Sequence, residues 1–246
     1  MPDRYDGKIK AMVFAAGLGS RLKPWTDSHP KALVPVNGKS ILQRNIERLQ
    51  SFGIHEVMVN VHHFANQIME AVAVNNGWGS SVTISDETEE VLETGGGLVK
   101  AKSFFSDAAA FITLNADILT NLDLEAMIRF HQSSGSLISM AVMQRPGNRV
   151  LLFDEMGQLC GWRNRESKEE KISLQKETLA EKAFSGIAAY QSSVFDKIKQ
   201  TGKFSLTEVF LDLAKTEKIT AFDHTGDRFV DVGKPGSVEI AERMFN

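Results

Sequence analysis

Apolar positions along the first half of the chain follow two periods. Short continuous apolar runs predict buried strands at 8–15, 55–61, 81–85, 111–114 and 137–143. Between them, apolar residues recur every three or four positions, which predicts helices at 40–52, 65–74 and 124–131. Ser40 can cap the start of the first helix, and Gly53 can end it. This alternation predicts an α/β fold class: a Rossmann-like, three-layer α/β/α domain with a mixed, mainly parallel central sheet.

The second half of the chain is less regular. A hairpin is predicted at 149–153 and 158–162, and further strands are expected at 184–190 and 219–222. Helices are expected at 205–214 and 235–244, the latter with Pro235 in its first turn. We therefore expect strands and helices to continue to the end of the chain.

Two segments are predicted to lie outside the regular elements. Residues 163–182 are strongly charged and predict an exposed excursion, and residues 93–97 predict a second glycine-rich loop. The sequence has no internal repeat and no clear linker. A single domain over 1–246, made of two halves, is the expected organisation.

Composition narrows the classes of function. The chain has 246 residues, of which 42% are apolar, and a formal net charge of −3. A general nucleic-acid binder usually carries a basic surplus, so no nucleic-acid partner is expected. No apolar run is long enough to span a bilayer, and MPDRYDGKIK lacks the apolar core of a signal peptide. The single cysteine, Cys160, excludes an internal disulfide framework, so we expect a cytoplasmic protein without membrane partners.

The stretch FAAGLGSRLKPWTDSHPKALVPV, at 14–36, follows the first predicted strand. It therefore lies at a strand's carboxyl end, where open α/β folds bind ligands. Gly17 and Gly19 let the backbone approach a ligand and direct N–H groups at phosphate oxygens. Arg21 and Lys31 add positive charge, and arginine can grip a phosphate at two points. The stretch predicts a cradle for a polyphosphate.

Two familiar nucleotide-binding motifs do not fit this stretch. Leu22 stands where the dinucleotide fingerprint needs its third glycine, and Leu33 stands where the P-loop pattern needs a glycine before NGKS. The sequence therefore supports neither a Rossmann dehydrogenase nor a P-loop NTPase.

Two aspartates, Asp117 and Asp231, follow short apolar runs and are expected at strand ends. Chemistry on a triphosphate needs Mg²⁺, which binds through one or two carboxylates together with phosphates and water. Two aspartates from distant segments suit that need, although strand-end aspartates also cap helices. The pattern alone leaves both roles open.

Taken whole, the string AAGLGSRLKPWTDSHPKALVPV resembles the signature of the sugar nucleotidyltransferases, which join a nucleoside triphosphate to a sugar 1-phosphate. KSILQRNIERLQSFGI, ETGGGLVKA, NADIL, FSGIAAY and FVDVGKPGSVEIAE continue the resemblance in the family's order and cover nearly the whole chain. The ETGGG form and the compact length are most similar to the N-acetylmuramate 1-phosphate uridylyltransferase branch. Mannose- and heptose-1-phosphate guanylyltransferases are near neighbours.

The resemblance implies roles for the residues at matching positions. Asp117 and Asp231 would hold Mg²⁺, with Mn²⁺ as a substitute. Arg21 would act on the leaving pyrophosphate, and Lys31 on the phosphates at the reaction centre. The implied nucleotide-binding residues are Ala15, Ala16, Gly17, Gly19, Arg21, Asn60, Gly95 and Gly96, and the implied sugar-binding residues are Glu93, Asn115, Ser185 and Gly186. Residues 1–115 would then mainly bind nucleotide, and residues 116–246 mainly sugar.

The implied substrates are a nucleoside triphosphate and a sugar 1-phosphate, with UTP and N-acetylmuramate 1-phosphate as the first choice. A guanylyltransferase for mannose or heptose 1-phosphate is the alternative. A cytidylyltransferase for a choline-phosphate-type acceptor and a catalytically silent nucleotide-sugar-binding domain are further alternatives. Longer relatives carry a lysine in a Glu-Lys-Pro step that binds the sugar phosphate. This chain has Glu181-Lys182 without the proline, so Arg163, Lys176 and Lys182 all stay open for that role, and the oligomeric state stays open too.

Overall fold

A large mixed sheet crosses the centre of the molecule, and two small ribbons lie beside it. In the computed structural model, which describes residues 7–234 and 236–245, the strands are β1 (Ile9–Phe14), β2 (Pro35–Val36), β3 (Lys39–Ser40), β4 (Glu56–Val61), β5 (Ser81–Asp86), β6 (Ala110–Asn115), β7 (Ile118–Thr120), β8 (Ile138–Met143), β9 (Arg149–Phe153), β10 (Leu159–Asn164), β11 (Glu170–Ile172), β12 (Ala180–Gln191), β13 (Ile219–Asp223) and β14 (Phe229–Asp231). The α-helices are α1 (Ile41–Ser51), α2 (Ala65–Val74), α3 (Glu93–Lys100), α4 (Leu124–Ser134), α5 (Leu206–Leu213) and α6 (Ser237–Met244). No helix in the described part of the chain is long and apolar enough to cross a membrane.

The strand order makes β1 the turning point of the sheet. Strands β5, β4, β1 and β6 lie side by side and are parallel. The chain runs outward from β1 to β5 and then returns to place β6 on the other side of β1. β12 continues the sheet antiparallel to β6 and also pairs with β8 and β9. The gap between β1 and β6 is thus a topological switch point, where such sheets bind ligands.

Helices cover both faces of the sheet, which makes three layers. Successive residues of β1 point to opposite faces, so Ala11 and Val13 belong to one core and Met12 to the other. The first core packs α1, α2 and α4 against the sheet, and the second packs α3 and α5. The predicted fold class, a Rossmann-like α/β/α domain with a mixed sheet, is confirmed.

A third, smaller core fastens the glycine-rich stretch to the end of the chain. Leu22 and Val34 from that stretch pack with Val230 and Val232, on and just after β14, and with Ala241 of α6. β14 pairs antiparallel with β7 beside this core. The packing therefore carries β14 and the segment that follows it to the carboxyl end of β6.

The local signals at the first helix are confirmed. The Ser40 hydroxyl accepts a hydrogen bond from the Gln43 N–H at 3.1 Å and caps α1. Gly53 follows the helix with φ +82°, a left-handed conformation that glycine adopts without a steric penalty. The hairpin of β9 and β10 is confirmed as well.

Three predictions about secondary structure are not simply confirmed. The prediction of a loop at 93–97 is wrong, because these residues begin α3. Residues 163–182 are mostly exposed, as expected, yet they contain β11 and the start of β12. The expected position of Pro235 in a first turn lies outside the described residues, and α6 begins at Ser237.

Candidate active site

A cavity of about 510 Å³ opens at the carboxyl ends of the central parallel strands. The strand register explains its position, because Phe14 pairs with Asn60 on one side and with Asn115 on the other. The segments that follow β1 and β6 therefore meet there. The cavity is lined by residues 14–21, Lys31, Ala32, Asn60, Val91, Glu93, Thr94, residues 115–117 and Gly233.

A buried chain of hydrogen bonds holds the start of the glycine-rich stretch. The Ala15 N–H donates to Asn60 Oδ1 at 2.8 Å, and Asn60 Nδ2 donates to Glu87 Oε1 at 2.8 Å. Glu87 is buried, and burial raises the pKa of its carboxyl group. Its other oxygen accepts from the Leu92 N–H at 3.4 Å, next to α3. Asn60 therefore ties the loop after β1 to the segment before α3.

Two carboxylates and an ammonium group meet at one edge of the cavity. Lys31 Nζ forms an ion pair with Asp117 Oδ2 and lies 4.0 Å from Asp231 Oδ1. The ribbon brings the two aspartates together, since β14 pairs Asp231 with Ile118. The Val232 N–H also donates to the Asp117 carbonyl at 2.8 Å. Side chains far apart in sequence thus face a common point.

Gly233 leaves room for this group of charges. A Cβ atom at Gly233 would lie 2.5 Å from Asp231 Oδ1, 2.5 Å from Lys31 Nζ and 3.4 Å from an Arg21 Nη atom. These three distances also show that Arg21 lies beside Lys31 and Asp231. Only a residue without a side chain fits here with the charges where they are.

These carboxylates suit a hard divalent cation. Asp231 Oδ1 is buried and accepts no hydrogen bond from any described residue. Across residues 7–234 and 236–245 there is no group of three or more His, Cys, Asp or Glu side chains that could hold a metal ion. A metal ion between Asp117 and Asp231 would therefore complete its shell with water and substrate phosphate, as Mg²⁺ commonly does.

Most of the residues expected at the site lie on or beside the cavity. The expected residues that line it are Ala15, Ala16, Gly17, Gly19, Arg21, Lys31, Asn60, Glu93, Asn115 and Asp117. Asp231 lies next to them through its contact with Lys31. Besides Asp231, four expected residues do not line the cavity: Gly95, Gly96, Ser185 and Gly186.

Gly95 and Gly96 are buried in packing and do not form an open wall. Their N–H groups donate to the Phe204 carbonyl at 2.9 and 3.3 Å. A Cβ atom would collide with Phe204 at Gly95 and with the Gly202 carbonyl at Gly96. The glycines of ETGGG thus let α3 approach the segment before α5, and this close packing makes a helix out of the predicted loop.

Gly186 lies against the side chain of Asn115, and Ser185 is buried next to it in the chain. Ser185 is fully buried, and its Oγ is 2.7 Å from His224 Nε2. Gly186 has φ +74°, and a Cβ atom there would lie 2.8 Å from Asn115 Nδ2. Gly186 thus packs against a lining residue, and neither Ser185 nor Gly186 lines the cavity.

The sequence reasoning missed two residues of this region, Glu87 and Gly233. Glu87 lies in the acidic run SDETEE, which looks like a solvated loop, so no local signal indicated that it is buried. Gly233 lies in the motif FVDVGKPGSVEIAE, and its position directly after the expected metal ligand was the signal that could have identified it.

All three candidates for the sugar phosphate are already paired with carboxylates. Arg163 contacts Glu170 and Glu181, as the structure shows. Lys176 lies 3.2 Å from Asp154, and Lys182 contacts Asp223. None of the three lines the cavity.

Several known proteins are similar to this chain over most of its length. An N-acetylmuramate alpha-1-phosphate uridylyltransferase of Neisseria meningitidis serogroup B is 28% identical, over 96% of this chain and 98% of that protein. A mannose-1-phosphate guanylyltransferase catalytic subunit beta of Drosophila pseudoobscura pseudoobscura is 29% identical over 92% of this chain. The chain spans 59–65% of the length of that protein and two other guanylyltransferases.

The fold is shared with solved structures over almost its full length. HddC from Yersinia pseudotuberculosis, in a crystal structure complexed with GMP-PN, superposes with a TM-score of 0.77 at 24% identity and covers 96% of this chain and 99% of that one. The family model described as nucleotidyl transferase matches residues 10–244. The chain therefore belongs to the nucleotidyl transferase family.

Proposed function

We propose that this chain transfers a nucleotidyl group from a nucleoside triphosphate to a sugar 1-phosphate and releases pyrophosphate. The observation that carries the proposal is the meeting of Arg21, Lys31, Asp117 and Asp231 beside a glycine-rich backbone at the switch point of the sheet. Its relatives of similar and greater length are sugar-1-phosphate nucleotidyltransferases by name. We assign nucleotide binding mainly to residues 1–115 and sugar binding mainly to residues 116–246.

In the proposed reaction, a phosphate oxygen of the sugar 1-phosphate attacks the α-phosphorus of the nucleotide. The new P–O bond forms as the bond to the β-phosphate breaks, and pyrophosphate leaves with the electron pair. The second pKa of a phosphate monoester is about 6, so the attacking group is already an anion at neutral pH and needs no general base. Catalysis then consists of positioning and of offsetting the repulsion between two anions.

Each residue of the site has a part in this scheme. The backbone at 15–19 receives the triphosphate, with Ala15 fixed by Asn60. Arg21 neutralises the leaving pyrophosphate, and Lys31 stabilises charge at the reaction centre. Asp117 and Asp231 would hold Mg²⁺ or Mn²⁺, which when bound neutralises phosphate charge. Asn115 and Glu93 line the cavity and are assigned to the sugar.

For the substrates, we propose UTP with N-acetylmuramate 1-phosphate or a similar amino-sugar phosphate. The support is the similarity to the Neisseria uridylyltransferase, 98% of whose length this chain covers. The packed glycines of α3 do not enlarge the cavity, so they lend no support to a bulky sugar substituent.

GTP with mannose or heptose 1-phosphate is the second candidate. It is favoured by the guanylyltransferase relatives and by HddC, which was solved with GMP-PN and is covered by this chain over 99% of its length. The choice depends on which base satisfies the polar groups of the pocket, because each one left unpaired costs about 1–3 kcal/mol.

A panel of substrates tests the proposal. Pyrophosphate release would be measured for UTP, GTP, CTP and dTTP, each with several sugar 1-phosphates and with phosphocholine. We expect the highest kcat/KM for UTP with an amino-sugar phosphate. A preference for GTP with mannose or heptose 1-phosphate would replace the first substrate choice. A preference for CTP with phosphocholine, or nucleotide-sugar binding without turnover, would reject the proposed reaction.

The metal assignment is tested with Asp117→Asn and Asp231→Asn. Both changes should weaken Mn²⁺ binding, which is measured by electron paramagnetic resonance. Both should also lower kcat at least about 100-fold. Asp196→Asn is the control, because Asp196 is an exposed aspartate that pairs with Lys102 elsewhere on the surface. Normal Mn²⁺ binding by both site variants would reject the assignment.

A further inference from the structure

Arg145 is a partly buried cation in the second half of the chain, and it forms no ion pair with a carboxylate among the described residues. Beyond the end of β8, Arg145 donates from Nη2 to the Phe184 carbonyl at 2.9 Å. Its guanidinium carbon lies 4.8 Å from the centre of the Phe229 ring. Arg145 Nε is buried and finds no acceptor among the residues that the structure describes. The guanidinium is therefore held in place by a carbonyl and a ring, and its charge is not neutralised by a direct ion pair.

The position of Arg145 connects it to the reaction centre. Phe229 and Asp231 are two residues apart on β14, so their side chains share one face of that strand, about 7 Å apart. Because the guanidinium stacks on Phe229, it lies on the same face as the Asp231 carboxylate. Burial lowers the pKa of Arg145, and the negative charge of Asp231 acts in the opposite direction, which agrees with their proximity.

The anchor of Arg145 points to the sugar side of the cavity. The Phe184 carbonyl that it contacts immediately precedes Ser185 and Gly186 on β12. Gly186 in turn lies against Asn115, which lines the cavity. Arg145 therefore contacts both β12 and β14, the strands that carry Gly186 and Asp231, just outside the residues that line the cavity.

We propose that Arg145 binds the phosphate group of the acceptor, the sugar 1-phosphate. This assignment rests on the proposed function and identifies the positively charged residue that binds the acceptor at the same site. A guanidinium suits a phosphate monoester because its planar N–H groups can donate to two oxygens at once. Burying an N–H without an acceptor is costly, and a phosphate oxygen arriving beside Arg145 would supply one. The other candidate cations differ in this respect, because carboxylates already pair with Arg163, Lys176 and Lys182.

The test measures acceptor binding separately from nucleotide binding. The protein is saturated with Mg²⁺ and an α,β-methylene analogue of its preferred nucleotide, and the sugar 1-phosphate chosen by the substrate panel is titrated by calorimetry. Arg145→Gln and Arg145→Lys are compared with Lys182→Gln, which removes a cation of the same half that is already paired with Asp223. Melting temperatures show whether each variant is folded.

We expect Arg145→Gln to raise the Kd and the KM for sugar 1-phosphate about 10- to 100-fold, with the KM for the nucleotide within about twofold of the parent. Arg145→Lys keeps the charge but loses the fork geometry, so it should fall between the parent and Arg145→Gln. Lys182→Gln should bind like the parent. An unchanged Kd in both Arg145 variants, or equal losses for acceptor and nucleotide, would overturn the assignment. A parent chain that turns over no substrate pair and binds no sugar 1-phosphate would instead reject the proposed function, and this assignment with it.

Discussion

Replacing Gly233 by alanine should displace the charged side chains of the site while leaving the fold stable. The new Cβ atom would lie 2.5 Å from both Asp231 Oδ1 and Lys31 Nζ. Ordinary contact distances for carbon are about 3.5–4.0 Å, so each group would have to retreat by roughly 1 Å. The φ of Gly233 is not in the left-handed region, so alanine brings no backbone strain of its own.

The expected result is a loss of rate with little loss of stability. Both clashing atoms are at the ends of side chains that can move, so we expect the melting temperature to fall by less than about 3 °C, or roughly 1 kcal/mol. A displacement of about 1 Å at a reacting centre costs on the order of 100-fold, so kcat/KM should fall about 100-fold, equivalent to roughly 2.7 kcal/mol.

Steady-state pyrophosphate release and thermal melting are measured on Gly233→Ala and on the control Gly147→Ala. Gly147 has open space around its missing side chain, and its φ is not in the left-handed region. If Gly233→Ala turns over like the parent while Gly147→Ala does too, the positions of Lys31 and Asp231 do not control the rate. If Gly233→Ala is unfolded, the side chains at this edge are more rigid than we infer.

Three further changes test other parts of the structure. In Gly96→Ala the new Cβ atom would collide with the Gly202 carbonyl, which is backbone and cannot move freely. The free energy of unfolding, measured in urea, should therefore fall by about 1–3 kcal/mol, and an unchanged unfolding midpoint would refute the close packing of α3. Burial raises the pKa of Glu87, so the free energy of unfolding of the parent falls as pH rises from the unfolded pKa of about 4 through the raised folded pKa. Glu87→Gln should therefore gain stability relative to the parent as pH rises above about 4, and a stability difference that does not change with pH would contradict this. Burial lowers the pKa of His131 to about 4. The folded state thus disfavours the charged form of His131, and the free energy of unfolding of the parent should fall by roughly 3 kcal/mol between pH 6.5 and pH 4. His131→Asn should not show this fall, and parallel curves of unfolding free energy against pH for parent and variant would be evidence against it.

The order of strands and helices in the first half of the chain could be predicted because its signals are local. Apolar spacing marked α1 and α2, and the Ser40 cap and Gly53 set the ends of α1 within the helix itself. Once the strands are known to be parallel, the segments after β1 and β6 must meet at one edge of the sheet. That reasoning placed Gly17, Lys31 and Asp117 in a common region before any contact was known.

Other features depended on residues far away in the sequence. The three glycines of ETGGG are poor helix formers at about 1 kcal/mol each relative to alanine, so the sequence predicted a loop. Close packing against Phe204 and the Gly202 carbonyl overrides that preference and makes α3. The burial of Glu87 has the same origin, because its partner Asn60 comes from a different strand.

The sequence by itself determined the fold class and predicted a phosphate-binding loop, because periodicity and glycine positions act over a few residues. Only the tertiary structure decided that Asp231 lies beside Asp117, since that contact depends on the pairing of β14 with β7 and on the third core. It also decided that Arg145 forms no ion pair with a carboxylate of the described residues, while Arg163 and Lys182 do. Ion pairs form between whichever charges the folded chain brings within a few ångströms, and a linear pattern does not contain those distances.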